Sequence, residues 1–512
     1  MKLAKAMATV AGLTGLSRIA GFIRDIMTAA ILGAGPIADA FIVALKLPNL
    51  FRRITAEGAF SVSFVPVYSE MLEKDGRGRA DAFAGNMFMV MLGLLSGFVL
   101  LAMWATPWLM YGIAPGFSDD PLRYYTAVEL TRITFPYLVF MSLTALLGGV
   151  LNALNRFAPF AFAPVLFNVA LIAALLMSDM FETAGHAMAW GVLAAGVLQL
   201  IWLLASAWRA GFRVKIALPR FDADVKKIFK LMGPGVVGAG VVQLNLFADM
   251  IIGSFMGTGA ISYLYYADRL NQLPLGMIGI AVGTALLPML SKAVAGARKQ
   301  EASDLFNRAM EYCFLLGLPA SFALAVFATP IIGTLFERGA FEALATHETS
   351  SVLMAYTLGL SAHIAIKVFS TVHWAHGDTK TPVKIAIAGT LFNIALSLVL
   401  IQFIGVAGIA LATSVAGWLQ FTLHWRVMKA REGFGFDDRF KGAFVKILTA
   451  SGIMIGVTYG MVWGLEQATI EMHKIPHLIL IVLTGSVIYG LSALGLGLIT
   501  LDDVKSLIKG CK

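Results

Sequence analysis

The stretch VAGLTGLSRIAGFIRDIMTAAILGAGPIADAFIVALKLPNLFRRITAEGAF, residues 10–60, decides how this chain is read. Two apolar runs of helical length flank Gly33-Ala34-Gly35-Pro36, yet they hold Arg18, Arg24, Asp25, Asp39, Lys46, Arg52, Arg53 and Glu57. At the centre of a bilayer one such charge costs roughly 2.5 to 3.5 kcal/mol even on lenient insertion scales, so a group of them needs a reason. On a helix from about residue 10 to 33, Thr14, Arg18, Gly21, Asp25 and Thr28 share one face, with Arg24 at its edge. The expectation is a charged helical hairpin lining a water-filled cavity that receives an anion. Buried ion pairs that merely fix helix positions are the plainer alternative.

Composition places the hairpin in a membrane. Of 512 residues, 58% are hydrophobic and 13% charged, and the mean hydropathy is +0.80, far from the balance of a soluble domain. The two cysteines, Cys313 and Cys511, give neither a disulfide framework nor metal-ligand spacing. The net charge of +9 is no nucleic-acid signal, because no soluble basic module carries it. Lys2 and Lys5 before an apolar run resemble a signal peptide, but Arg18 interrupts the run, so it reads as an uncleaved first span.

Runs of about 20 apolar residues, enough to cross roughly 30 Å of hydrocarbon, occur at residues 10–33, 37–69, 85–110, 126–151, 158–178, 186–208, 231–256, 260–291, 309–332, 349–375, 382–404, 406–428, 443–465 and 477–499. The expected fold is therefore all-α and polytopic, with fourteen transmembrane helices. The second run is too long for one straight crossing, and Pro48 and Gly58 are the places to bend it. With the N-terminus inside, the external loops carry only Arg123, Arg338 and Lys474 as basic residues, and the other connections hold the excess. Basic loops stay cytoplasmic, so both termini are expected there.

An ordered series of short matches recurs at a nearly constant offset. Lys46-Leu47-Pro48 answers Gln272-Leu273-Pro274, Val65-Pro66-Val67-Tyr68-Ser69 answers Leu287-Pro288-Met289-Leu290-Ser291, and Phe167-Asn168-Val169-Ala170-Leu171 answers Phe392-Asn393-Ile394-Ala395-Leu396. Each repeat holds six spans, so both enter the membrane in the same direction, as in transporters that rock two lobes about a central site. The chain divides into an N-lobe, 1–222, a C-lobe, 223–440, and two extra helices with a tail, 441–512. The repeat sets Ala248 opposite Arg24 but keeps Asp249 opposite Asp25. The expected cavity is lopsided, cationic on the first lobe, with Asp268 and Arg269 as the second lobe's contribution.

Arginine suits phosphate because its planar fork donates paired hydrogen bonds and keeps its charge when dehydrated. Asp25, Asp39, Glu57 and Asp268 are expected to pair with the arginines while the site is empty. The run Tyr263, Tyr265, Tyr266 also fits an interfacial aromatic belt. Asp249, with Asn393 and Thr413, forms a candidate ion site, although a structural role is the plainer reading. Asp378-Thr379-Lys380-Thr381-Pro382 reads as a turn in which Pro382 opens the next helix. His373 and His376 lack a third metal ligand, Gly235, Gly238 and Gly240 follow no strand, and no GxxxxGK[ST] loop is present.

The motifs Ser17-Arg18, Gly21-Phe22-Ile23-Arg24-Asp25, Asp39-Ala40-Phe41, Lys46-Leu47-Pro48-Asn49-Leu50, Arg52-Arg53, Ala56-Glu57-Gly58-Ala59-Phe60, Asn155-Arg156-Phe157, Tyr265-Tyr266-Ala267-Asp268-Arg269-Leu270 and Lys380-Thr381-Pro382-Val383-Lys384 resemble those of the MurJ (MviN) lipid II flippases, in the multidrug/oligosaccharidyl-lipid/polysaccharide exporter superfamily. The resemblance runs from the N-terminus to about residue 430. It implies an undecaprenyl-diphosphate-linked peptidoglycan precursor as substrate, moved from the inner to the outer leaflet of the bacterial cytoplasmic membrane by alternating access. It further implies required roles for Arg18, Arg24, Arg52 and Arg269, with Asp39 implicated, and a lipid-tail groove on the last two helices. Membrane lipids and cell-wall synthesis proteins are the partners expected with it.

No cofactor and no enzymatic step are expected. The energy source is left between Na+ or H+ coupling and the membrane potential, since relatives with a sodium site use two acids and this chain has Ser397 one turn after Asn393. The rivals are a cation-coupled drug or other lipid-linked oligosaccharide exporter of the same fold, a membrane glycosyltransferase or ligase acting on a polyprenyl carrier, and a structural member of a wall-synthesis complex. Acids in place of arginines would favour the first, a large catalytic loop the second, and dispensable arginines the third.

Overall fold

The computed structural model describes residues 2–53, 60–215, 217–432, 434–468, 473–500 and 502. Among them helix is the only extended regular structure. The first helices are α1 (Lys2–Leu32), α2 (Pro36–Arg52), α3 (Ser61–Lys74), α4 (Arg77–Ile113), α5 (Pro121–Thr134), α6 (Tyr137–Ala153), α7 (Ala158–Leu176) and α8 (Ala184–Arg209). They are followed by α9 (Ala223–Ser254), α10 (Ala260–Ala295), α11 (Lys299–Val326), α12 (Ala328–Leu335), α13 (Ala343–Ala375), α14 (Lys380–Ile404), α15 (Ala407–Glu432), α16 (Asp438–Gln467) and α17 (Lys474–Gly495).

Among the described residues, nine helices, α5 and α6 taken as one, are long and apolar enough to cross a membrane. The helices over the other five predicted spans are α1, α2 with α3, α9, α10 and α15. Packing gathers Met1–Ser262 and Arg338–Glu342 into one unit, and Tyr263–Glu337 and Ala343–Lys512 into a second. Inside the first unit α4 packs on α6, α6 on α8 and α7 on α8; inside the second, α11 packs on α13, α13 on α15 and α14 on α15. These three pairings thus recur at the spacing of the sequence repeat. Although α9 opens the second repeat, it packs in the first unit, where Asp224 meets Arg79 at 2.5 Å, Lys227 meets Glu70 at 3.8 Å and Ser254 Oγ accepts the Gly116 N–H at 3.0 Å.

Proline divides one predicted span and leaves another unbroken. Pro48 lies inside α2 without ending it. A proline has no N–H to give the carbonyl four residues back, and the carbonyl left over, that of Ala44, is filled by the Thr134 hydroxyl at 2.9 Å. The expected bend at Gly58 lies outside the described residues. Span 126–151 is divided where Pro136 follows Phe135, giving α5 and α6. The stop after α1 is Gly33, whose φ of +68° admits glycine readily; a Cβ there would lie 2.4 Å from the Ala340 carbonyl oxygen. The turn that holds Ala340 is tied to α1 by the Ala340 N–H donating to the Ala30 carbonyl at 2.8 Å.

In the second unit, rings of Phe306, Phe314, Phe369, Phe421, Phe436 and Phe440 interlock across α11, α13, α15 and α16. The last two helices are fastened to this core at both ends. Arg308 pairs with Asp437, Lys474 Nζ reaches Glu337 at 2.8 Å, and the Tyr489 hydroxyl donates to the Leu315 carbonyl.

Candidate functional site

Helix α1 carries the site's first arginines because nothing in its sequence stops it between Lys2 and Leu32. Arg18 is exposed and makes no hydrogen bond or ion pair among the described residues. Arg24 is half-buried and fully oriented. Its Nε and Nη2 donate to Asp25 Oδ1 at 3.1 and 2.6 Å, and its Nη1 donates to Asn168 Oδ1 at 2.8 Å. The Phe167 ring lies 5.8 Å from the guanidinium carbon. A guanidinium has five N–H donors, and among the described residues three of them are engaged and two are not. Arg52, in the last turn of α2, is half-buried and donates from Nε to Asn49 Oδ1 at 3.1 Å.

Asp39 is placed otherwise than expected. It is 0% exposed and turns away from the arginines of α1 and α2. Oδ2 accepts the Gly259 N–H at 2.8 Å, and Oδ1 accepts the Ser262 N–H and hydroxyl at 2.9 and 2.7 Å. It therefore caps the first turn of α10, where unsatisfied N–H groups and the helix dipole favour an anion. Its cation is Arg123, read from sequence as a loop residue but 3% exposed. Arg123 Nη2 stands 3.3 Å from Oδ2 without hydrogen-bond alignment, so the attraction is coulombic. Arg123 Nη1 donates to the Met256 carbonyl at 3.4 Å, and the guanidinium lies 4.1 Å from the centre of the Phe117 ring.

In the second unit Arg269 is half-buried over Tyr265, 4.6 Å from the ring centre, and donates from Nη2 to the Tyr265 hydroxyl at 3.2 Å. Asp268 accepts from Gln272 one turn on. Tyr266 is wholly buried against Phe336, and Tyr265 holds the arginine. Of the candidate ion-site residues, Asp249 in the first unit accepts from Asn245 at 3.4 Å. In the second unit Asn393 Oδ1 lies 3.4 Å from the hydroxyls of both Thr413 and Ser397. Glu57 lies outside the described residues. Among those residues no cluster of three or more His, Cys, Asp or Glu is placed to hold a metal ion.

The structure thus brings Arg24 and Asp25 together, leaves Arg18 open on the same helix, and sets Asp39 apart in a buried cap. Asn168 and Arg123 are the residues sequence reasoning missed as partners. For Asn168 a signal existed, since it is the polar member of a repeated motif in an otherwise apolar helix. For Arg123 there was none.

Apolar helices of membrane-spanning length, a packing scheme repeated along the chain and arginines held within the apolar helices define a polytopic membrane transporter. The family model for "Lipid II flippase MurJ" matches residues 28–480. A "Probable lipid II flippase MurJ" of Rhizobium meliloti (strain 1021) is 40% identical over 90% of this chain and 86% of its own length, and the "Lipid II flippase MurJ" of Burkholderia cenocepacia is 36% identical over 90% of each. A solved lipid II flippase MurJ in an inward closed conformation superposes with a TM-score of 0.80 at 27% identity, covering 94% of this chain and 97% of that one. The chain belongs to the MurJ lipid II flippase family. An inward-facing multidrug-resistance MATE transporter shares the fold, with a TM-score of 0.69 at 13% identity over 82% of this chain and 94% of that one.

Proposed function

We propose that this chain moves lipid II, the undecaprenyl-diphosphate-linked peptidoglycan precursor, from the inner to the outer leaflet of the bacterial cytoplasmic membrane by alternating access, with both termini cytoplasmic. No covalent bond is made or broken. The observation that carries the reading is Arg24, a guanidinium oriented by Asp25 and Asn168 with two N–H groups left over among the described residues. With Arg18, Arg52 and Arg269 it supplies the planar donors a diphosphate needs. Asp25 and Asp268 balance that charge, and Asp39 serves by fixing the frame. Membrane lipids and cell-wall synthesis proteins complete the set of partners.

Coupling to Na+ or H+ at Asp249, Asn393 and Thr413, or drive by the membrane potential, supplies the energy. Ser397 in the place of a second acid favours the potential over sodium. A drug exporter of the same fold would set acids and aromatics where this chain has arginines.

The test is translocation of labelled lipid II in proteoliposomes by the intact chain and by Arg24→Ala and Arg269→Ala, each confirmed to insert normally. A lost charge-assisted hydrogen bond is worth about 1.5–3 kcal/mol, so transport falls about 10- to 100-fold in each. Unimpaired transport by both would remove the diphosphate reading.

A further inference from the structure

We infer that Asn168 is a positioning residue for substrate binding, holding Arg24 in orientation without cancelling its charge. The inference rests on Arg24 meeting the lipid diphosphate.

Asn168 lies midway along α7 and is 5% exposed. Both ends of its side chain point to α1. Oδ1 accepts from Arg24 Nη1 at 2.8 Å, and Nδ2 donates to the Ser17 carbonyl at 2.9 Å, with Ser17 Oγ at 3.3 Å. The orientation of the amide is fixed by its partners, because a guanidinium only donates and a carbonyl only accepts. Around it α7 is built of Ala, Phe, Pro, Val, Leu and Ile, where a polar side chain is costly unless its hydrogen bonds are made. Here they are made to the one helix that presents Arg18 and Arg24.

The choice of an amide over an acid has a consequence for binding. Arg24 and Asp25 together carry no net charge. A carboxylate at residue 168 would also accept from the guanidinium, but it could not donate to the Ser17 carbonyl and would add a negative charge where a diphosphate must approach. An amide orients and stays neutral. The repeat provides an internal control: Asn393 is also buried, at 2% exposure, but the residue opposite Arg24 is Ala248, and Asn393 turns to hydroxyls instead.

Initial rates of lipid II translocation, measured against lipid II concentration in proteoliposomes, test this with Asn168→Leu, Asn168→Asp, Arg24→Ala and the Arg24→Ala/Asn168→Leu double variant. Thermal unfolding and insertion are checked for each. The expected result is a half-saturating concentration raised about tenfold in Asn168→Leu and raised further in Asn168→Asp, which keeps the size and one acceptor should the leucine variant fail to fold. The double variant is expected to be no worse than Arg24→Ala alone, since the amide acts through the arginine. A lowered yield or maximal rate with unchanged half-saturation would make Asn168 a packing residue and overturn the inference, as would losses that multiply in the double variant or an Asn168→Asp that binds as the intact chain does. Loss in Arg24→Ala with normal Asn168 variants would sink the positioning role alone; normal transport by Arg24→Ala would sink the diphosphate reading beneath it.

Discussion

Arg24 and Asp25 are neighbours in sequence, and their side chains keep 11% and 8% of their surface exposed; Asp39 and Arg123 are distant in sequence and keep 0% and 4%. Both are arginine–carboxylate pairs in a membrane protein, and by residue type they are the same. They differ in what is left over. Among the described residues Arg24 retains two N–H donors at a half-buried position, whereas Asp39 has each oxygen engaged by the first turn of α10 and its arginine shut in by Phe117. A pair with unspent donors and an opening can bind a ligand; a closed one can only hold the chain together.

The largest effect expected from this contrast is on stability at Asp39. Removing one partner of a buried pair strands the other charge and costs about 3–5 kcal/mol, and here it also uncovers the Gly259 and Ser262 N–H groups. Asp39→Ala should therefore unfold at clearly lower temperature in detergent and accumulate poorly in membranes. The contrast breaks if Asp39→Ala melts like the intact chain but fails to bind lipid II.

Gly33→Ala comes next. Its backbone lies at φ +68°, and the added carbon would meet the Ala340 carbonyl oxygen at 2.4 Å, so a cost of about 2 kcal/mol is expected from strain and displacement. This change loosens the end of the helix that bears Arg24 without touching any charge. Thermal unfolding should register it, while the half-saturating lipid II concentration of the folded fraction should stay within about twofold of normal.

Asp25→Asn is expected to cost less stability, about 1 kcal/mol, since the amide oxygen still accepts from Arg24. Its signature is in binding. With the countercharge gone the site gains one positive charge, and labelled lipid II should be retained several-fold more tightly. Weaker retention would mean that Asp25 orients Arg24 more than it offsets its charge.

Much of this was legible in the sequence, for definite physical reasons. Apolar runs of crossing length located the helices because hydropathy acts locally. The repeat foretold that α7–α8 and α14–α15 pair alike. Arg24 beside Asp25 was readable because the two are adjacent. The acid at residue 39 was readable as a charge that needed a partner, but not as a helix cap, because its donors lie more than two hundred residues onward. Arg123 passed for a loop residue since position relative to an apolar run says nothing about what folds over it. Pro48 suggested a bend, and only the Thr134 hydroxyl, supplied by α5, explains why α2 runs through it. Asn168 carried no charge to mark it.

The smallest effect completes the series with an acid outside the spans. Asp378, in the connection before α14, accepts the N–H groups of Lys380 and Thr381 at 3.1 and 2.9 Å. The Thr381 side chain and N–H hold its carboxyl down to about 2 from 3.8. Its folded pKa is depressed, so the stability it lends is complete above about pH 4 and is lost as the pH falls through about 2. A helix-starting cap of this kind is worth about 1 kcal/mol or less, and Asp378→Ala should lower the melting temperature by no more than about two degrees near neutrality. That gap should close on acidification between about pH 4 and pH 2. If it stayed open at pH 2, the ionised cap would not be its source, and exposed and buried acids in this chain would differ by more than what their donors and exposure supply.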